Sequence, residues 1–262
     1  MRTTGTTTGR RPIGDVVSRT VVCATPDQAG RRVRLDVKTD GPRGRGHVGV
    51  RILRATVNEA RVALVAEGAL LVAGDDVEIG MHVGAGVRLT VVEPAGTVVY
   101  AMRGGSARWT VGLEVEDGGV LVWRAEPFVV ASGANVIRRV DVALRGAGVA
   151  VLREVLVLGR AGEAGGCLDQ QVRVARDGTA LLAEDLAVDG AQPRVGVLGT
   201  SRVVDSVSVL GTRAPGIPTP AGAHRLELER EGTVVRWLGA AVHLSPLEAV
   251  WCAASEGYSE LG

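Results

Sequence analysis

Along most of the chain, hydrophobic and polar residues alternate one for one. In RRVRLDVKTD, Val33, Leu35 and Val37 are separated by arginine, aspartate and lysine. That period of two puts the apolar side chains on one face of a strand and the charged ones on the other. The same alternation recurs in VGVRILR, VEIGMHV, WTVGLEVE, VIRRVDVAL, QVRVAR and HRLELER. Helical spacing is scarce. LGTSRVVDSVSVLG is compatible with helix or strand, and SPLEAVWCAASE reads as a helix with Ser245 as its cap, Pro246 at the first position and Glu248 at the third. The pattern predicts an all-β, helix-poor fold with one or two short helices near the C-terminus.

A repeat organises these strands. Four times a glycine turn leads into a short apolar run that closes on an acid: GAGVRLTVVE, DGGVLVWRAE, GAGVAVLRE and RDGTALLAE. The last turn glycines, Gly86, Gly119, Gly148 and Gly178, are spaced 33, 29 and 30 residues apart, and the closing acids are Glu93, Glu126, Glu154 and Glu184. A period of this length predicts stacked layers of strands, a β-helix-like architecture in which no layer buries its apolar face without its neighbours. The acids come seven residues after their glycines twice and six residues after twice, so they need not share a face, and they read first as strand ends at solvated turns.

Composition narrows the function. Val, Ala, Leu and 37 Gly dominate while aromatics make up only 3% of the 262 residues, as expected for many short β-branched strands joined by glycine turns. With 30 Lys and Arg against 29 Asp and Glu, the net charge of +1 gives no field that would draw the chain to nucleic acid or to a membrane surface. The longest apolar region, ARVALVAEGALLVAG, is interrupted by Glu67 and glycines and is too short to span a bilayer. Nothing near the N-terminus resembles a secretion signal, and Cys23, Cys167 and Cys252 lie singly without C-x-x-C spacing. These features predict a cytoplasmic protein. Residues 1 to 12, rich in Thr, Gly and Arg, read as a disordered tail, and 13 to 262 as a single β domain.

Catalytic signatures are missing. GRGHVG at 44 to 49 matches G-x-G-x-x-G by letter, but the adjoining VGVRILR alternates like a strand instead of opening a helix, which rejects a dinucleotide-binding unit. The GAG triplets at 84 to 86 and 146 to 148 lie between strand patterns, where glycine supplies a positive φ in a hairpin. There is no G-x-S-x-G elbow, H-E-x-x-H helix or P-loop lysine. The densest candidate chemistry is VAGDDVEIGMHV, where Asp75, Asp76, Glu78 and His82 offer oxygen and imidazole donors suited to Ni²⁺ or Zn²⁺. On a regular strand Asp76, Glu78 and His82 share one face, and Asp75 faces the other way or belongs to the turn.

Three longer blocks carry a resemblance. GALLVAGDDVEIGMHVGAGVRLTVVEPAGTVVY resembles the segment of the urease accessory protein D family (UreD, called UreH in some bacteria) that runs from a Gly-Gly-Asp turn through an acidic-apolar strand and Gly-Ala to a Thr-rich strand. LVWRAEPFVVASGANVIRRVDVALRGAGVAVLREVLVLGRAGEAGG resembles the family's next block, with its aromatic-Glu step and Leu-Gly-Arg turn. VVRWLGAAVHLSPLEAVW resembles its Arg-aromatic-Leu-Gly strand and closing tryptophan helix. The chain departs from that pattern at Ala73, Val91, Glu93 and Arg153.

The resemblance implies a non-catalytic scaffold that binds apo-urease and the helical partner UreF, through which the GTPase UreG is recruited. It also implies that nickel passes through the protein in transit toward the urease active site, with no cofactor permanently bound. Matched residue by residue, Asp75, Glu78 and Glu154 are the carboxylates of that transient path. A β-solenoid enzyme or a carbohydrate-binding protein with an acidic groove is the alternative from another class.

Overall fold

The computed structural model describes residues 16–27, 31–42, 45–192, 194 and 196–258, so the predicted tail at 1 to 12 lies outside the described residues. In chain order the strands are β1 (Val16–Thr25), β2 (Arg34–Asp40), β3 (His47–Ala55), β4 (Glu59–Glu67), β5 (Asp75–Val83) and β6 (Arg88–Val92). Then come β7 (Thr97–Val99), β8 (Ala107–Val115), β9 (Val120–Arg124), β10 (Phe128–Val130), β11 (Asn135–Leu144) and β12 (Val149–Leu158). The last are β13 (Cys167–Arg176), β14 (Thr179–Asp189), β15 (Val203–Leu210), β16 (Ala223–Glu227) and β17 (Gly232–Gly239), after which the chain forms helix α1 (Glu248–Glu256).

Two sheets face each other. The first has the order β14-β13-β11-β8-β5-β1-β2, the second β16-β17-β15-β12-β9-β6-β4-β3, with β7 and β10 as a short side ladder. The central strands of both are parallel to their neighbours, β5 to β8 to β11 to β13 in the first sheet and β4 to β6 to β9 to β12 in the second. Each coil therefore lays one strand in the first sheet, turns, lays the next in the second, and returns one layer up. This is the stacked, β-solenoid-like fold the repeat predicts, and every alternating segment named above forms a strand. Of LGTSRVVDSVSVLG, Val203–Leu210 forms strand β15 and none of it is helix.

The repeat is corrected in two ways. Its first three units are corners that carry the chain from one sheet to the other, so the GAG triplets are not hairpin turns. The fourth, Asp177-Gly178, is a true hairpin, because β13 and β14 are antiparallel neighbours in one sheet. Stacked corners explain the glycines. A Cβ on Gly119 would stand 2.9 Å from the Gly84 carbonyl oxygen, and one on Gly148 2.8 Å from that of Val115. Both distances are shorter than a real Cβ contact tolerates, so close stacking of consecutive turns requires the missing side chain.

Strand parity divides the core. Val77, Ile79, Met81 and Val83 of β5 meet Leu121 and Trp123 of β9 and Leu152 of β12 between the sheets. The alternate residues of the second sheet, Val122, Val151 and Val207 among them, face outward and are covered by Val250, Trp251 and Ala254 of α1. That is why β12 and β15 read as nearly continuous apolar runs while β8 alternates.

The helix begins two residues later than Ser245 as cap would give, with Leu247 at the N-cap position and no side-chain cap. Ser245 Oγ nevertheless accepts the Leu247 N–H at 3.3 Å, as a cap would, while it donates to Asp205 Oδ2 at 2.6 Å. Among the described residues no helix is long and apolar enough to cross a membrane.

Candidate functional site

Among the described residues the inter-sheet layer is mostly apolar; Thr20 Oγ1 donates to the Val48 carbonyl on the facing sheet, and a row of polar side chains gathers around Arg138. VIRRVDVAL places Arg138 on the inward face of β11, between the buried Val136 and Val140. A guanidinium in that position needs partners. Arg138 donates from Nη2 to Glu154 Oε1 at 2.6 Å and from Nη1 to Gln170 Oε1 at 2.8 Å. Its guanidinium lies over the Phe128 ring, 5.4 Å from the centroid, and Phe128 meets Trp109 edge to face.

All four repeat-closing glutamates reach this layer. A cavity of about 30 Å³ is lined by Glu93, Glu126, Arg138 and Glu154 together with Trp109 and Trp123. A second of about 20 Å³ is lined by Glu154, Gln170, Glu184, Ser206 and Arg236. Each has room for about one water molecule. Glu154 borders both and stands between them. Reading these acids as solvated strand ends is thereby corrected: three follow stacked corners and Glu184 follows the β13–β14 hairpin, and all four line the two cavities.

Their electrostatics differ. Glu93 accepts from Trp123 Nε1 and from the Glu126 backbone N–H, both at 3.1 Å. Burial still pushes its carboxyl up to about 7, because those two hydrogen bonds and the charge of Arg138 offset only part of the lost hydration. Glu184 is held by Arg236 at 2.8 Å, whose Nε also donates to Ser206 Oγ. The row thus mixes arginine-paired carboxylates with one carboxyl that changes charge near neutral pH.

The three expected path residues do not meet. Glu154 stands in the inter-sheet row. Asp75 opens β5, where its Oδ2 accepts the Val72 N–H at 3.1 Å and closes a turn, with Arg45 3.5 Å from Oδ1. Glu78 lies on the outer face of the first sheet, paired with Arg19, whose Nε donates to it at 2.7 Å. Asp76 is buried with Arg108 nearby, and His82 Nδ1 is 3.5 Å from Glu114 Oε2. Parity thus falls as the regular strand requires, with Asp75 the first residue of β5 and on the opposite face from Asp76, Glu78 and His82. Among the described residues no three His, Cys, Asp or Glu side chains converge on one point. Cys23, Cys167 and Cys252 are free thiols.

The outer face of the first sheet also carries a groove of about 760 Å³, floored by Gly80 and Gly112 and bordered by His82, Glu114, Asp141 and Arg173. Among the described residues no Phe, Tyr or Trp lines it, which gives it none of the usual rings for stacking a sugar.

Sequence reasoning missed Glu93, Arg138, Glu184 and Arg236 as members of one row. The signal is present at Arg138, an arginine at an inward position of an otherwise apolar strand face.

Relatives of known family share this chain's sequence over most of its length. The family model described as UreD urease accessory protein matches residues 33–256. The chain is 40% identical over 221 residues to urease accessory protein UreD 1 of Streptomyces griseus, covering 84% of each chain. It is 32% identical over 209 residues to UreD of Streptomyces avermitilis, covering 78% of this chain and 77% of that one. To UreD 2 of Saccharopolyspora erythraea it is 31% identical over 238 residues, 83% and 82% of the two chains. The chain belongs to the UreD family of urease accessory proteins.

Proposed function

We propose that this chain is a cytoplasmic, non-catalytic scaffold that binds apo-urease and UreF, is linked through UreF to UreG, and lets Ni²⁺ pass on its way to the urease active site. Family membership supports the accessory role. The observation that supports the conduit is the row of four glutamates lining two cavities between the sheets, with Glu154 bordering both.

Carboxylates suit a path better than thiolates do, because oxygen ligands hold Ni²⁺ weakly enough to release it. Each cavity holds about one water, so an ion moving along the row exchanges its hydration water for carboxylate oxygens step by step. Arg138 and Arg236 neutralise Glu154 and Glu184 when no cation is present, and both must swing aside for an ion to bind. Asp75 and Glu78 remain separate contacts in this reading, each beside an arginine that competes with the ion.

The decisive experiment co-expresses the urease subunits and the helical partner with and without this chain. Active urease is expected only with it; equal activity without it refutes the reading. At finer resolution, Asp75→Ala, Glu78→Ala and Glu154→Gln lower nickel loading of urease while UreF still co-purifies. Loss of both together assigns those residues a folding role instead.

A further inference from the structure

Helix α1 covers only part of the second sheet's outer face. Beyond Trp251 and Ser255 the outer surfaces of β3, β4 and β6 are left open, and they form a cleft of about 420 Å³. Its walls carry four arginines, Arg54, Arg61, Arg88 and Arg124, and one acid, Glu59.

Register places these side chains. Arg54 on β3 stands directly opposite Arg61 on β4, and Arg61 pairs with Thr90 on β6. Two like charges directly opposed across strands repel each other, so the fold gains nothing from the pair. The remaining arginines have carboxylate partners: Glu59 stands opposite Arg88, and Arg124 is held twice by Glu248, at 2.6 and 3.0 Å. Among the described residues neither Arg54 nor Arg61 has an ion pair, which leaves the cleft with two uncompensated positive charges. Val92, Val122 and Trp251 supply an apolar wall beside them.

We propose that this cleft binds a dianionic phosphoryl group borne on an organic body, with Arg54 and Arg61 as the two charges that hold it. Guanidinium forks match phosphoryl oxygens in pairs, and a phosphate monoester near neutral pH carries close to the two negative charges the site lacks. Thr90, in the same row, supplies a hydroxyl for a third oxygen. The cleft is larger than a phosphate alone needs, which leaves the apolar wall for the ester's carbon skeleton. The bearer is either a free phosphorylated small molecule or a phosphorylated side chain, and the phosphoryl chemistry is common to both.

The test is isothermal titration of the full chain with phenyl phosphate, a phosphoserine peptide and succinate, at low salt. Saturable binding of at least one phosphoryl probe is expected, with a dissociation constant on the order of millimolar or tighter. Phenyl phosphate bound more tightly than the peptide identifies a small-molecule site; the reverse identifies a phosphorylated partner.

The Arg54→Ala, Arg61→Ala double variant should weaken the preferred probe about tenfold or more, as loss of charge-assisted hydrogen bonds predicts. Both side chains are exposed, so its melting temperature should be unchanged, and Arg194→Ala on a remote loop should bind like the parent. The proposal is overturned if neither phosphoryl probe saturates, if the double variant binds as the parent does, or if succinate binds as tightly as phenyl phosphate.

Discussion

Arg153 reaches Asp205 with two hydrogen bonds, Nη2 to Oδ2 at 3.0 Å and Nε to Oδ1 at 3.3 Å, and its Nη1 donates to Glu248. One guanidinium thus ties β12 to β15 and to the first turn of α1. Asp205 is fully buried, so its charge is tolerable only while Arg153 and the Ser245 hydroxyl surround it. Asp205→Ala removes that anchor and leaves Arg153 mostly buried with Glu248 alone. We expect a loss of about 3 kcal/mol, the usual size for breaking a buried pair from one side. For a domain of this length that is a fall in melting temperature of roughly 6 to 12 °C. Thermal unfolding checks it, and a shift under about 2 °C would show that the anchor does not hold α1 down.

Glu93 makes stability depend on pH. Its folded pKa is raised to about 7 from an ordinary value of 4.5, so the native state holds the proton more tightly than the unfolded chain does. The stabilisation this gives is fully present below about pH 4.5 and is lost as pH rises toward and through 7. The shift corresponds to about 3 kcal/mol at most, reduced by any water that enters the cavity. Glu93→Gln, which cannot ionise, should flatten the decline between about pH 5 and 7.5 measured by chemical denaturation. An unaltered profile in the variant would place the titration elsewhere.

Stacked corners make a sharper test of the solenoid. Gly148→Ala places a Cβ within 3.0 Å of three backbone oxygens, those of Val115, Glu116 and Arg145. Backbone does not yield as a side-chain end would, so the coils must separate locally, at a cost of about 1 to 3 kcal/mol. Gly216→Ala, where a Cβ meets nothing within 4 Å, is the matched control and should unfold at nearly the parent temperature. Equal melting of the two variants would count against tight stacking of the turns.

Most of the fold is legible because a strand writes its buried face into the sequence at every second residue, and the glycine repeat marks the layers. The hidden part depends on contacts far apart in sequence. Asp177-Gly178 looks like the other three turns, and only the pairing of β13 with β14 makes it a hairpin. Ser245 looks like a helix cap and its Oγ does accept the Leu247 N–H, but the helix starts two residues later and the hydroxyl proton goes to Asp205, 40 residues away. The site is half visible. Glu154 stands both in the repeat and in the family resemblance, whereas Glu93 looks like an ordinary strand-ending acid until stacking places Trp123 and Arg138 over it. Asp75 and Glu78 are close in sequence, yet parity turns one back toward the Val72 turn and the other to the outer face.

That arrangement gives Glu154 a test that separates transport from folding. Its carboxylate is the principal partner of a buried arginine, so Glu154→Ala strands the Arg138 guanidinium and should cost about 1 to 3 kcal/mol. Glu154→Gln keeps an amide oxygen within reach of Arg138 Nη2 while removing the negative charge a passing cation would use. If Glu154 is structural only, the glutamine variant should load urease with nickel as the parent does, and only the alanine variant should fail. If Glu154 is a step in the path, the glutamine variant should stay within about 1 kcal/mol of the parent in stability and yet deliver less nickel in a fixed time. Nickel content of urease purified from co-expressing cells, measured beside the unfolding midpoint of each variant, distinguishes the two outcomes.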